Sequence, residues 1–218
     1  MKKSVFSFIL TSAICASMLV ISSCKKDDDT AASGWFDGVI TAQVENGSQY
    51  NDLIKRVSAR VWNESLDVAV QIAYGTYSNG SFTITLPQEP PANALEVIGE
   101  SENFELGVKI SDMSTKISIL DEITAYSSST GAFNYEDVAG WFSYETPTVG
   151  KGNNEGGSAM VFFYVDRDLT VKGTTTSGKY NLNLKKGWNK AYVTRNDKSN
   201  EFTTNPVGGL KWVFEDRY

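Results

Sequence analysis

From Trp35 onward, apolar and polar residues alternate with a period of two, and clusters of Asn and Gly interrupt the alternation. Successive side chains of a strand point to opposite faces, so the pattern predicts half-buried β-strands joined by turns. Ile40, Ala42 and Val44 share one face of a first strand that ends at Asn46-Gly47. Val57, Ala59 and Val61 do the same in a second, and Val68, Val70, Ile72 and Tyr74 form the apolar face of a third. Asn79-Gly80 predicts a two-residue type I′ hairpin, which needs positive φ at both positions. Phe82, Ile84 and Leu86 line the return strand, and Pro87 stops it. Pro87, Pro90 and Pro91 make the stretch to Asn93 a rigid connector between two halves.

Beyond the connector the pattern is less regular. Ser101 to Met113 reads as a loop with a short strand, Ile117 to Tyr126 as a strand, and Asn134 to Trp141 as a stretch holding one helical turn. Thr148 to Ser158, rich in Gly and Asn, reads as a mobile loop. Met160 to Val165 is apolar on both faces, which predicts a central strand. Tyr180, Leu182 and Leu184 oppose Asn181 and Asn183, so that strand keeps one wet face. Lys185-Lys186-Gly187 turns the chain into Trp188 to Val193, and Leu210, Trp212 and Phe214 close the last strand. The body is thus expected to be all-β, an antiparallel β-sandwich with little helix. Its halves span 34–90 and 91–218 and pack together.

The N-terminal stretch follows another pattern. Lys2 and Lys3 precede an apolar run from Val5 to Val20, the layout of a cleaved signal peptide (1–23) and short for a membrane span. The run ends in Ile21-Ser22-Ser23-Cys24, which resembles the lipobox of bacterial lipoproteins. That resemblance implies a diacylglyceryl group on the Cys24 thiol, cleavage before Cys24 and acylation of the new amine. One acyl chain anchors only marginally, at ~0.8 kcal/mol per buried CH₂, whereas several hold a soluble body on a membrane. Cys24-Lys25-Lys26-Asp27-Asp28 resembles the export signal of surface lipoproteins of the Bacteroidetes type, with Lys26, Asp27 and Asp28 as its charged positions. It implies an outer-membrane location facing the cell exterior. The plainer reading of 24–33, a solvated disordered acidic tether, is compatible with it. Asp29-Thr30-Ala31 resembles the O-glycosylation acceptor of those bacteria, at Thr30.

Gly38-Val39-Ile40-Thr41, followed by Thr76 to Pro87, resembles the transthyretin-like sandwich of carboxypeptidase regulatory-like domains. The resemblance covers about residues 38–87 and implies a transthyretin- or immunoglobulin-like sandwich that serves as a structural or binding module. Asn181 to Asn189 with Leu210 to Phe214 resembles the ending of many lipoproteins of the same bacteria, a resemblance that carries no function.

Composition narrows the chemistry. Cys15 falls in the expected leader and Cys24 is the position that the lipobox resemblance implies is lipidated, so the body is expected to hold no thiol and no disulfide and to depend on core burial alone. Without Lys2 and Lys3, 18 basic residues face 26 acidic ones, a net charge of −8, which argues against nucleic acid as a partner. There is no histidine. With neither Cys nor His in the body, no metal site or other cofactor is expected, and Ser-His-Asp and Cys-His catalysis are excluded in their usual forms.

Aromatic residues are the candidates for ligand contact, because a flat ring stacks on the CH face of a sugar while Asn or Asp bonds its hydroxyls. Trp62 is out of phase with the Val57 face. Trp141 flanks a loop, and Trp188 follows a turn with Asn189 beside it. The plainer reading of each is core packing. Asp166 and Asp168 offer oxygens for calcium in a turn, or simply a polar turn. The expected function is non-catalytic binding of a glycan or an envelope protein. The alternatives are an adhesin or fimbrial-type subunit working by strand exchange, and a hydrolase with two facing carboxylates. Protease shaving of intact cells is expected to remove the body. Protection until the outer membrane is permeabilised would place it on the inner side.

Overall fold

A computed structural model describes residues 33–63, 66–100, 107–129, 134–147, 156–176, 178–196 and 199–217. Residues 1–32, which cover the expected leader and most of the expected tether, most of the stretch 101–107 and most of the Gly/Asn-rich stretch 148–158 lie outside the described residues. The rest is all-β, with fourteen strands in one large sheet. They are β1 (Val39–Gln43), β2 (Arg56–Asn63), β3 (Val68–Ser78), β4 (Ser81–Thr85), β5 (Glu96–Val97), β6 (Val108–Ile110) and β7 (Lys116–Tyr126). Then follow β8 (Val138–Glu145), β9 (Gly157–Val165), β10 (Leu169–Thr174), β11 (Gly178–Leu184), β12 (Gly187–Arg195), β13 (Asn200–Thr203) and β14 (Lys211–Asp216). All helical segments are short 3-10 turns. No helix among the described residues is long and apolar enough to cross a membrane.

The local signals act where the alternation places them. Asn79 and Gly80 have φ of 52° and 73°, so the β3–β4 turn has positive φ at both central residues. The helical turn after Asn134 is shorter than expected. It spans Tyr135–Asp137 and is capped by the Asn134 side chain accepting from the Glu136 N–H, and β8 begins at Val138. Trp141 therefore stands within a strand rather than beside a loop.

The sheet wraps on itself. β1, β4, β3, β2 and β7 pair in that order, all antiparallel. β7 then forks, its Ile123–Tyr126 half pairing with β8 and its Ile117–Leu120 half with β9. The β8 branch continues to β14, which returns to the end of β1 through a bridge between Val44 and Trp212. The β9 branch continues to β12, which returns to the chain just before β1 through a bridge between Trp35 and Asn189. The ring of strands thus has one undivided wall and one wall made of two pieces. Halves 34–90 and 91–218 meet in the β2–β7 ladder and in both bridges.

Inside the ring lies one core, containing Ile40, Val57, Ile84, Phe142, Phe162 and Trp212. Phe142 centres its aromatic cluster, with ring centroids 4.8 Å from Phe82, 5.1 Å from Phe214 and 5.7 Å from Tyr77. On the outer side of β9 and β12 the sheet continues through β13, β11, β10 and β6 and closes over a second core of Phe163, Val165, Leu169, Leu184, Val193 and Phe202. β9 feeds both, Phe162 and Tyr164 into the first and Phe163 and Val165 into the second, as its two-faced apolar run predicts.

Bulges set the phase elsewhere. Opposite Ala59 and Arg60, β3 carries one extra residue, Ile72, so the face running Val68, Val70, Ile72, Tyr74 does not hold. Val70 packs against the core, but past the bulge Ala73 faces it and Tyr74 turns outward, 70% exposed.

Tyr77 donates a buried hydrogen bond of 2.8 Å to the Gly47 carbonyl. Burial first, and Tyr50 second, push its phenol from 10 up to about 12. A raised folded-state pKa gives stability present below the unfolded value and lost as pH rises through the folded one. Urea midpoints of the native chain are expected to fall between pH 10 and 12. Tyr77→Phe should be about 0.5–1.5 kcal/mol less stable at pH 7 and lose less than the native chain over that alkaline window; a parallel fall would show that Tyr77 is not the group responsible.

Candidate functional site

Two features stand out, one on the outward face of the ring and one in its divided wall. On the outward face, the ladder aligns Tyr74 of β3, Ser58 of β2, Thr124 of β7 and Trp141 of β8 in one rung. At 4.7–4.9 Å per strand, the rung is about 14 Å long. Along β2, Arg60 stands opposite Gln71 and Trp62 opposite Ala69. Trp62 is 40% exposed, Gln71 is exposed, and Arg60 and Trp141 are half-buried.

The floor between these side chains is closed. Ser58, Thr124 and Tyr126 are fully buried and Arg56 nearly so. Ser58 Oγ donates to Gln71 Oε1 at 3.0 Å, and the Arg56 guanidinium stacks 4.5 Å from the centre of the Tyr126 ring. Burial pushes the Tyr126 phenol up, opposed in part by the charge of Arg60 and by the nearby hydroxyls of Thr124 and Ser58. The arrangement is a rigid polar floor rimmed by Trp62, Tyr74 and Trp141.

The second feature is a cavity of about 100 Å³ where the two pieces of the divided wall meet. Among the described residues, β8 and β9 pair at Glu145 with Ala159, and just past β8 the Thr146 N–H donates to the Ser158 carbonyl at 2.8 Å. Leu120, Phe142, Phe162 and Val193 supply apolar lining, and Glu145, Arg195, Tyr144, Tyr192 and Ser143 supply polar groups. Burial raises the Glu145 carboxyl above the ordinary range. The charge of Arg195 and a hydrogen bond from Ser143 oppose this, and Glu215 adds to it. Burial likewise pushes Tyr192 up, with Tyr144 beside it.

The other two expected contacts are turned inward. Trp188 is 3% exposed, with its Nε1–H donated to the Pro87 carbonyl at 2.7 Å and its ring edge-on to Tyr164. Asn189 has no exposed surface. Its Nδ2 donates to the carbonyls of Lys185 and Gly187 at 2.7 and 2.9 Å, and its Oδ1 accepts from the Lys185 N–H at 2.8 Å. It fastens the β11–β12 turn, and neither residue presents a surface to a ligand in this fold.

The aspartates after β9 are taken up by cations. Asp166 accepts from the Lys116 N–H and pairs with Arg167, and Asp168 accepts from Lys185 Nζ at 2.8 Å and from the Lys186 N–H at 3.0 Å. The hydrogen bond from Lys185 and that from the Lys186 N–H hold Asp168 below the ordinary carboxylate range. The polar-turn alternative describes them, and calcium there is not supported. Among the described residues no group of three or more His, Cys, Asp or Glu side chains is placed to hold a metal ion. Ile21, Ser22, Ser23, Cys24, Lys26, Asp27, Asp28 and Thr30 lie outside the described residues.

Tyr74, Glu145 and Arg195 are what sequence reasoning missed. The bulge at Ile72 turns Tyr74 outward, and no local signal marks that bulge. Glu145 and Arg195 are fifty positions apart and are brought to one seam only through β9. No protein-family model, no curated protein and no solved structure matches this chain.

Asn189→Ala strips a buried turn of three hydrogen bonds and leaves its backbone groups without that partner. It is expected to lower stability by about 2–4 kcal/mol in urea denaturation. A change below about 0.5 kcal/mol, the usual range of surface substitutions, would contradict the clamp.

Proposed function

We propose that the chain is a lipid-anchored protein of the outer membrane, facing the exterior, whose body is a non-catalytic module that binds a glycan on the outward face of β2, β3, β7 and β8. The anchor and the surface location rest on the sequence around Cys24. The reading of the body rests on one observation: three aromatic side chains, Trp62, Tyr74 and Trp141, rim a floor of hydrogen-bonding groups on a rigid sheet. Aromatic rings supply apolar contact to sugar CH groups at low conformational cost, and Arg60 and Gln71 lie between them to bond hydroxyls. A sheet that holds these groups fixed loses little entropy on binding.

The β2–β3 tip favours a second reading for its own end of the face. Leu66 and Val68 are 56% and 42% exposed beside Trp62, an apolar cluster of the kind that meets a protein.

A glycan panel screened against the full chain in detergent tests the first reading. Retention of one glycan class is expected. Trp62→Ala and Tyr74→Ala should each weaken it about tenfold, the equivalent of ~1.4 kcal/mol, with unchanged urea midpoints. Trp35→Ala, at an exposed tryptophan beside the β11–β12 turn, should leave retention unchanged. If no glycan is retained, or if Leu66→Asp alone removes binding of an envelope protein, the apolar tip is the working surface instead.

A further inference from the structure

Independently of the outward face, the divided wall has the form of a small-molecule site. Glu145 of β8 stands opposite Ala159 of β9, which stands opposite Val193 of β12, and Arg195 lies two residues beyond Val193 on that same face. Their backbones are therefore about 12 Å apart, a span that two long side chains narrow to the size of a small molecule. The β9 residues between them are Gly157 and Ala159, and among the described residues the Thr146 side chain also borders the gap, with its Cβ 4.0 Å from where a Cβ on Gly157 would stand. The two charges sense each other, yet no ion pair within 4 Å joins them among the described residues. Lys211, directly across from Glu145 on β14, is committed elsewhere, to Glu45 Oε1 at 2.7 Å. The site thus offers one anionic and one cationic group, held apart over a floor of small residues.

Beside the two charges lies the cavity of about 100 Å³, lined by Leu120, Phe142, Phe162 and Val193. A closed apolar cavity of about 150 Å³ holds benzene. The seam cavity, which is partly open to solvent, has two-thirds of that volume, enough for a branched side chain of three or four carbons. We infer that the seam between β8 and β9 binds a free branched aliphatic amino acid, with its ammonium group on Glu145, its carboxylate on Arg195 and its side chain in the cavity. Paired charges fix orientation and select against partners that lack either charge, and the cavity selects side-chain size. A ligand that spans the seam pairs with both charges at once.

Calorimetric titration of the full chain in detergent, with L-leucine as the probe, tests this. L-Leucine is expected to bind one to one. N-acetyl-L-leucine, which lacks the ammonium group, and L-leucinamide, which lacks the carboxylate, should each bind at least about tenfold more weakly. Glycine, with both charges and no side chain, should be weaker by a similar factor. Glu145→Gln and Arg195→Gln should reproduce the losses of the two capped probes, and Ala159→Leu, which fills the floor, should abolish binding. Trp62→Ala should have no effect, which separates this site from the glycan face. No heat with L-leucine up to millimolar concentration overturns the inference. So does binding of the capped probes as tight as that of L-leucine, a result that needs no variant to fold.

Discussion

Two strands, β7 and β9, must bury both of their faces, and the rest of the architecture follows from how they do it. A body without disulfides depends on burial of apolar area alone. One ring core of about twenty side chains does not use all of the apolar surface that the sequence provides. β9 carries apolar residues at every position from Met160 to Val165, so a second layer has to form on its outer side. β7 meets the same demand differently. Its pairing shifts by one residue between Leu120 and Glu122, so Ile117 and Ile119 pack toward the second core while Leu120, Ile123 and Ala125 enter the first. The bend that a bulge introduces is also what lets β7 part company with β9 and take up β8. The fork, the divided wall and the cavity between its pieces share this one cause.

The alternation of side chains made much of this legible. β1, β2, β4 and β14 lie where period-two patterning puts them, β9 where its two-faced apolar run puts it, and Asn79-Gly80 makes the turn that its residue types demand. The bulges were not legible. One extra residue inverts every later position on a strand, and neither Ile72 nor the shift after Leu120 carries a distinguishing composition. The closures were not legible either, because Trp35–Asn189 and Val44–Trp212 join positions more than 150 residues apart. Local signals fix the faces of a strand, whereas its neighbours are chosen by which faces remain uncovered.

The same limit explains the fate of the aromatic residues. Trp188 followed by Asn189 offers the stacking ring and hydrogen-bonding amide of a sugar site, yet these are also the groups that a buried hairpin needs. The indole satisfies the Pro87 carbonyl across the ring, and the amide closes the turn at Lys185 to Gly187. Residue type is identical in the two cases; what separates them is whether the strand's face is covered. Trp62 was readable because its phase opposes Val57, Ala59 and Val61 within one unbroken segment. Tyr74 was not, since its phase depends on the extra residue Ile72, two positions before it.

A body that must hold itself together by burial alone commits its largest rings inward first. Phe142, Trp188 and Trp212 are consumed this way, along with the tyrosines that can return a hydroxyl to the backbone, as Tyr77 does to Gly47. Rings left outside are then those that register shifts and strand phase have displaced from a core. Trp62, Tyr74 and Trp141 stand over a floor already closed by Arg56, Ser58, Thr124 and Tyr126, so covering them with a ligand asks nothing further of the fold. The seam is the complementary case. There, among the described residues, the fork leaves β8 and β9 joined only at their ends, by Glu145 opposite Ala159 and by the Thr146 N–H on the Ser158 carbonyl, and the same geometry holds the polar groups at its edge apart and leaves the core beneath them incompletely filled. Both candidate sites therefore arise where one sheet cannot satisfy two cores at once, which is why neither is written in a contiguous motif.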